Sequence, residues 1–185
     1  DNAMAQSHVF AGVGGYYGAK DKGGMAGVFR HAVGNGGWSY VLKDLETFTV
    51  FVNPRDPNLV FAGTMDGVYR STDAGETWKH LGLADTERIK RIKVDPNNPD
   101  IAYVAALGHA WGANEERGVF KTTDGGKTWA KVLYFDKDTG CSDLDLDPQN
   151  PRILYAGMYT FRRKAWRFDS GGGQTALYRS TDAGA

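Results

Sequence analysis

Trp111 and Trp166 lie in segments dominated by glycine and charge rather than in apolar runs. Around them stand Tyr16, Tyr17, His109, Tyr159, Phe161, Arg162, Arg163, Lys164 and Arg167. Aromatic faces beside guanidinium groups could stack on sugar rings and hydrogen-bond to their hydroxyl or acid groups. The same indoles could instead anchor their own segments against a packed rim, and Arg162–Lys164 could be a solvated charge run. A second group alternates charge with apolar residues: Arg91 and Lys93 flank Ile92, while Asp143 and Asp145 flank Leu144. These opposite charges could neutralise one another as structural pairs, or the two aspartates could serve a site of their own. Asp136, Asp138 and Gly140 have the opening spacing of a calcium loop, but the twelfth position is not glutamate, so an ordinary turn is expected. Cys141 is the only cysteine and no Cys/His cluster has zinc spacing; neither a metal nor a cofactor is expected.

What must position these groups is a repeat. Gly67–Trp78, Gly118–Trp129 and Ala176–Gly184 read alike, each carrying Ser/Thr-Thr-Asp-Ala/Gly-Gly after a short apolar run. A fourth copy, Gly27–Trp38, keeps the ends but has Val33 in place of the aspartate. The six prolines give an independent phase, two in each of Asn53–Pro57, Asp95–Pro99 and Asp147–Pro151, each followed by a β-rich run. Two unrelated markers in one order, once per fifty-odd residues, indicate blade-type units. Short β-branched and aromatic runs between Gly, Asn, Asp and Pro turns read as strands A to D. The chain is then B-C-D, A-B-C-D, A-B-C-D, A-B-C: fourteen strands in units spanning about 8–43, 47–83, 89–135 and 142–185 of a single domain. The fold class is all-β, a β-propeller of four-stranded antiparallel blades with incomplete terminal blades.

Asp73, Asp124 and Asp182 are turn formers in this reading, because a carboxylate recurring once per blade is architecture. Gly75, Gly126 and Gly184 supply positive φ, and Trp78 and Trp129 fill space between sheets. Strand order puts the Pro turns and these boxes on one face. It puts Val13–Ala26, Leu107–Arg117 and Met158–Thr175 on the other, as long B–C loops where binding is expected.

Ser71–Trp78 and Thr122–Trp129 match Ser/Thr-x-Asp-x-Gly-x-Thr-Trp, and on these segments the chain resembles the Asp-box, or BNR, propellers. The resemblance is to bacterial sialidase- and xyloglucanase-like glycosidases and to sortilin-type propellers. It implies the fold and leaves two functions open: a non-catalytic glycan- or protein-binding and assembly module, or a glycoside hydrolase or part of one. Hydrolysis needs two carboxyl groups ~5–5.5 Å apart (retaining) or ~6.5–9.5 Å apart (inverting). The candidates are Asp143, Asp145, Glu115, Glu116 and Asp169, with no spacing that selects a pair. The Arg-Ile-Pro element of sialidases is absent, since Arg30 precedes His31-Ala32 and no proline occurs before Pro54. The isolated chain is therefore expected not to be an enzyme.

Twenty-two basic and 22 acidic residues in 185 balance to zero net charge, which argues against nucleic acid and membrane surfaces as partners. No apolar run is long enough to span a bilayer. Proteins of this type are often secreted or periplasmic, although Asp1–Gln6 carries no signal-like segment, so the compartment stays open. Incomplete terminal blades would expose strand edges, and the expected partner is a second copy closing a ring, as a homodimer or other oligomer.

Overall fold

The computed structural model describes residues 7–14, 25–34 and 36–185. Among them the chain forms four antiparallel sheets in sequence order. The first holds β1 (His8–Val13), β2 (Gly27–Ala32) and β3 (Trp38–Lys43). The second holds β4 (Thr47–Val52), β5 (Val60–Thr64), β6 (Gly67–Ser71) and β7 (Lys79–His80). The third holds β8 (Ile89–Val94), β9 (Ala102–Ala106), β10 (Gly118–Thr122) and β11 (Ala130–Leu133). The fourth holds β12 (Thr139–Leu146), β13 (Leu154–Lys164), β14 (Arg167–Ser170) and β15 (Ala176–Ser180). The sheets are propeller blades, complete in the second and third and three-stranded in the first.

The fourth blade departs from the sequence expectation. Met158–Thr175 is not a plain loop: β13 runs on to Lys164, turns at Ala165-Trp166 and returns as β14, paired Phe161↔Ser170 through Lys164↔Arg167. Strand alternation there was masked by the run of arginines and lysine, whose hydrophilicity reads as loop. Among the described residues there are fifteen strands, where the sequence reading expects fourteen, and the inner strand of this blade starts at Thr139.

Each box turn is built the same way. In the second blade the Ser71 hydroxyl donates to Asp73 Oδ1 (2.7 Å) and accepts from the Gly75 N–H (2.7 Å). Thr77 donates its N–H to Asp73 Oδ1 (2.9 Å) and its hydroxyl to Oδ2 (2.5 Å). Thr122, Asp124, Gly126 and Thr128 repeat every one of these bonds. The residue after each aspartate is left-handed, with φ of 54° at Ala74, 72° at Gly125 and 65° at Ala183, and the next glycine is too. Its N–H donates to a carbonyl of the Pro turn in the same blade: Ala74 to Asn58, Gly125 to Asp100, Ala183 to Arg152. That fixes the two short turns side by side on one face.

The carbonyl of that same residue points the other way and ties blades together. Arg30 of β2 donates to Ala74 O (2.8 Å), Arg70 of β6 to Gly125 O (2.7 Å) and Lys121 of β10 to Ala183 O (2.8 Å). Apolar clusters fill each seam beneath the tie. Val28 and Leu42 meet Ala62, with Trp78 against them; Phe61 and Leu81 meet Ile92 and Val104, with Trp129 against them; Tyr103 and Val119 meet Leu144 and Met158. Trp129 Nε1 also donates across its seam to Leu81 O at 2.8 Å. At the start of β10, Gly118 has no substitute, because a Cβ would lie 1.9 Å from Leu133 O.

Trp129→Ala should destabilise the fold by about 3 kcal/mol, near the low end for truncating a large packed aromatic because the indole is half-buried. Trp129→Phe should cost about 1 kcal/mol, the value of the lost hydrogen bond. Urea denaturation midpoints of the two variants measure both.

Candidate functional site

The face opposite the boxes is organised by one buried side chain. Arg117, directly before β10, is completely buried and curls its guanidinium into a ring of carbonyls. Nη1 donates to Leu107 O (2.7 Å), and Nη2 to His109 O (2.5 Å) and Gly112 O (3.1 Å). Longer contacts reach Asp138 O and Phe161 O in the fourth blade (3.4 and 3.5 Å). Loss of solvent pulls its pKa below the ordinary arginine value, although the nearby Asp138 carboxylate opposes this. Nothing in the sequence marked Arg117, since an arginine beside two glutamates reads as surface.

With the Leu107–Arg117 segment wound on that guanidinium, Ala110 O accepts the Arg163 N–H (2.7 Å). This sets the segment of the third blade against the β13–β14 hairpin of the fourth. Trp111 and Trp166, 55 positions apart, come to border one open groove of about 420 Å³ together with Arg163, Lys164, Arg167 and Phe168. The indoles are 56% and 84% exposed. Arg163 lies over the rings of Phe161 and Phe168 at 5.7 and 5.3 Å, the two rings themselves meeting edge-on. Its Nε is buried without a hydrogen-bond partner. Phe168, on β14, escaped the sequence reading because the charged residues around it read as loop.

The other candidates have structural work. Arg162 is held by Asp138 (2.5 Å), and the Tyr159 hydroxyl bonds with Ser170. His109 Nε2 meets Asp85 O at 2.9 Å and Glu87 at 3.7 Å. Tyr16 and Tyr17 lie outside the described residues. Asp136, at the turn into β12, accepts the N–H groups of Asp138 and Thr139.

Each candidate carboxylate faces a cation. Arg91 Nε meets Asp143 Oδ1 and Lys93 Nζ meets Asp145 Oδ1, both at 2.7 Å, across the innermost strands β8 and β12. A bulge precedes Arg91 in β8 and Asp143 in β12, which brings the two series into the same phase. Hydrogen bonds from Arg91 and from Lys93 hold the two carboxyl groups below the ordinary range. Glu115 pairs with Lys137 (3.1 Å), Glu116 with Lys131 (3.8 Å) and Asp169 with Arg167. Asp143 and the groove are not one site. Asp143 sits opposite Gly157, seven residues along β13 from the Lys164 turn, or about 23 Å of strand at ~3.3 Å per residue. Asp169, through Arg167, is the candidate acid that borders the groove. The box aspartates are consumed by their turns: hydrogen bonds from Thr77, first its hydroxyl and then its N–H, with Ser71 next, hold Asp73 at about 2. Burial of Cys141 pushes its thiol up to about 12, far from a nucleophilic thiolate.

Box turns, inter-blade ties and a loop face with a groove define the class: an Asp-box β-propeller. A family model described as "Sortilin, neurotensin receptor 3" (Sortilin-Vps10) matches residues 66–185, well over half of the chain, and the chain belongs to that family. A xyloglucanase of Paenibacillus sp is 30% identical over 152 residues, which cover 74% of this chain and 13% of that protein. Among solved structures, an ancestral GH74 enzyme superposes with a TM-score of 0.61 at 22% identity, over 85% of this chain and 20% of its own. The GH74 enzyme of Niastella koreensis gives 0.58 at 15% identity, over 96% and 35%. These likenesses establish the propeller fold.

Two outcomes are expected. A carboxylate whose folded value is about 2 against an ordinary 3.8 contributes stability in full above the higher value, lost as pH falls through the lower. Asp73→Asn should therefore be less stable at neutral pH and lose less stability between those two values than the native chain; melting temperature against pH measures this. Arg117→Leu strips donors from buried carbonyls, each worth about 1–3 kcal/mol, and should open the Leu107–Arg117 segment to limited proteolysis.

Proposed function

We propose that the chain is a carbohydrate-binding propeller segment that holds a polysaccharide in the Trp111–Trp166 groove and does not itself hydrolyse it. The observation that carries this reading is the convergence of two exposed indoles from different blades on one open groove. Flat apolar rings present area to the faces of pyranose rings, and Arg163, Lys164 and Arg167 can donate to ring hydroxyls or uronic carboxylates. Catalysis on a glycoside requires two carboxyl groups at the bond, one able to carry a proton. Asp143 and Asp145, on β12, are lowered by their cations and pair with the far half of β13, and no candidate carboxylate is among the residues that line the groove.

A second reading is favoured by the 30% identity with a xyloglucanase: the chain is a segment of a glycoside hydrolase. It would use the groove as a sugar subsite and draw its acid–base pair from elsewhere in a larger propeller.

Affinity electrophoresis in gels containing xyloglucan separates these readings when combined with an assay for released reducing ends. The binding reading expects retardation of the native chain, at least a tenfold weaker effect in the Trp111→Ala/Trp166→Ala variant, and no reducing ends. Release of reducing ends that disappears in Asp169→Asn or Asp143→Asn would establish the hydrolase instead. No retardation on xyloglucan or on a uronic-acid polysaccharide would overturn carbohydrate binding.

A further inference from the structure

Every polar side chain that lines the Trp111–Trp166 groove is a hydrogen-bond donor, and none is an acceptor. The guanidinium and ammonium groups of Arg163, Lys164 and Arg167 only donate, and so does an indole N–H. The remaining lining, Ala165 and Phe168, is apolar. Sugar hydroxyls donate as well as accept, so side chains arranged for neutral rings would include carboxylates or amides to take those protons. An ionised carboxylate or a sulfate ester only accepts, and it is the complement of an all-donor lining.

The charge balance points the same way. The carboxylates nearby are taken by other cations: Asp138 by Arg162, Asp169 by Arg167, Glu115 by Lys137 and Glu116 by Lys131. Neither Arg163 nor Lys164 has a carboxylate partner among the described residues. Arg163 is nevertheless held in place, over the rings of Phe161 and Phe168. Strand register adds a repulsion, because Lys164 is paired directly opposite Arg167 at the end of the β13–β14 hairpin. Like charges so placed, with Cβ atoms about 4.5–5.5 Å apart, destabilise a hairpin, and Asp169 offsets only one of the two. An anion bound in the groove removes that repulsion. The chain as a whole is neutral, so attraction for a polyanion has to arise at a local patch such as this one.

Resting on the carbohydrate reading of this groove, we propose that its ligand is an acidic polysaccharide, with the anion carried on the sugar as a uronic carboxylate or a sulfate ester. The indoles take the faces of the rings, and Arg163, Lys164 and Arg167 take the charges. The groove lies between the third-blade segment and the fourth-blade hairpin, so residues of this chain form all of its lining.

Isothermal titration calorimetry of the whole chain tests this with two acid–neutral pairs and one control. The pairs are polygalacturonate with its carboxyl-reduced form, and dextran sulfate with dextran; the control is poly-L-glutamate, which offers charge without ring faces. The acidic member of at least one pair should bind at least tenfold more tightly than its neutral partner, and which pair does so names the anion. That affinity should fall as salt rises. Lys164→Gln should lower it at least fivefold and Trp166→Ala at least tenfold, with unchanged circular dichroism, since both side chains are exposed. Poly-L-glutamate should bind at least tenfold more weakly than the preferred polysaccharide. Equal binding within both pairs overturns the acidic assignment and leaves carbohydrate binding standing. Poly-L-glutamate as tight as the polysaccharides, or affinity indifferent to Trp166→Ala, overturns it in favour of an acidic peptide or a bare charge patch. Binding of none of these polymers, nor of xyloglucan, overturns the carbohydrate reading as well.

Discussion

The carbonyl oxygen of the residue after each box aspartate is where one blade is held to the one before it, and that bond sets the terms for everything else. A carbonyl can face a neighbouring sheet only if the peptide behind it is turned out of the hairpin, which the two left-handed residues of the box accomplish. The Ser/Thr hydroxyl and the aspartate absorb the N–H groups that such a turn would otherwise leave bare. The aspartate thus acts on the seam at one remove: it holds the turn, the turn aims the carbonyl, and the carbonyl binds the cation. A long basic side chain is required because the donor starts in the middle of the neighbouring strand, and arginine and lysine both reach.

Anchoring all this on one face frees the other. The Leu107–Arg117 segment and the β13–β14 hairpin carry no inter-blade tie of the box kind, so their side chains are available for a groove. What gives that face its form is Arg117, a charge whose Nη donors are held by carbonyls, with the Asp138 carboxylate nearby and Nε left without a partner. Burying it is costly unless its donors are met, and meeting them fixes the positions of Leu107, His109 and Gly112 together. The groove aromatics inherit their spacing from that constraint.

The pairing of Arg91 with Asp143 and Lys93 with Asp145 serves a related end at the innermost strands, where neighbouring blades come edge to edge. Exposed pairs of this kind contribute little stability, and their clearer effect is to remove the repulsion of two stacked aspartates along one strand. Membership of the Sortilin-Vps10 family and likeness to xyloglucanases are compatible, because a fold does not fix what the sites built on it do.

The repeat was legible in the residues alone: box, Pro turn and strand C recur in order, and local turn chemistry dictates them wherever they occur. The box turn is local too, since Ser/Thr-x-Asp-x-Gly-x-Thr meets its own hydrogen bonds within seven residues, whereas alternation only puts Arg91 and Lys93, and Asp143 and Asp145, on one side of their strands and leaves their partners open. Three further things waited for the folded chain. The strand β14 was hidden because pairing with the far half of β13 is a long-range gain that a stretch of arginines does not advertise. Arg117 was invisible because burial of a charge depends on carbonyls gathered from two blades. The meeting of Trp111 with Trp166 and Phe168 required the Ala110–Arg163 bond between segments far apart in sequence. Local hydrogen-bond demand is written residue by residue, whereas a groove is a property of which distant backbones happen to satisfy each other.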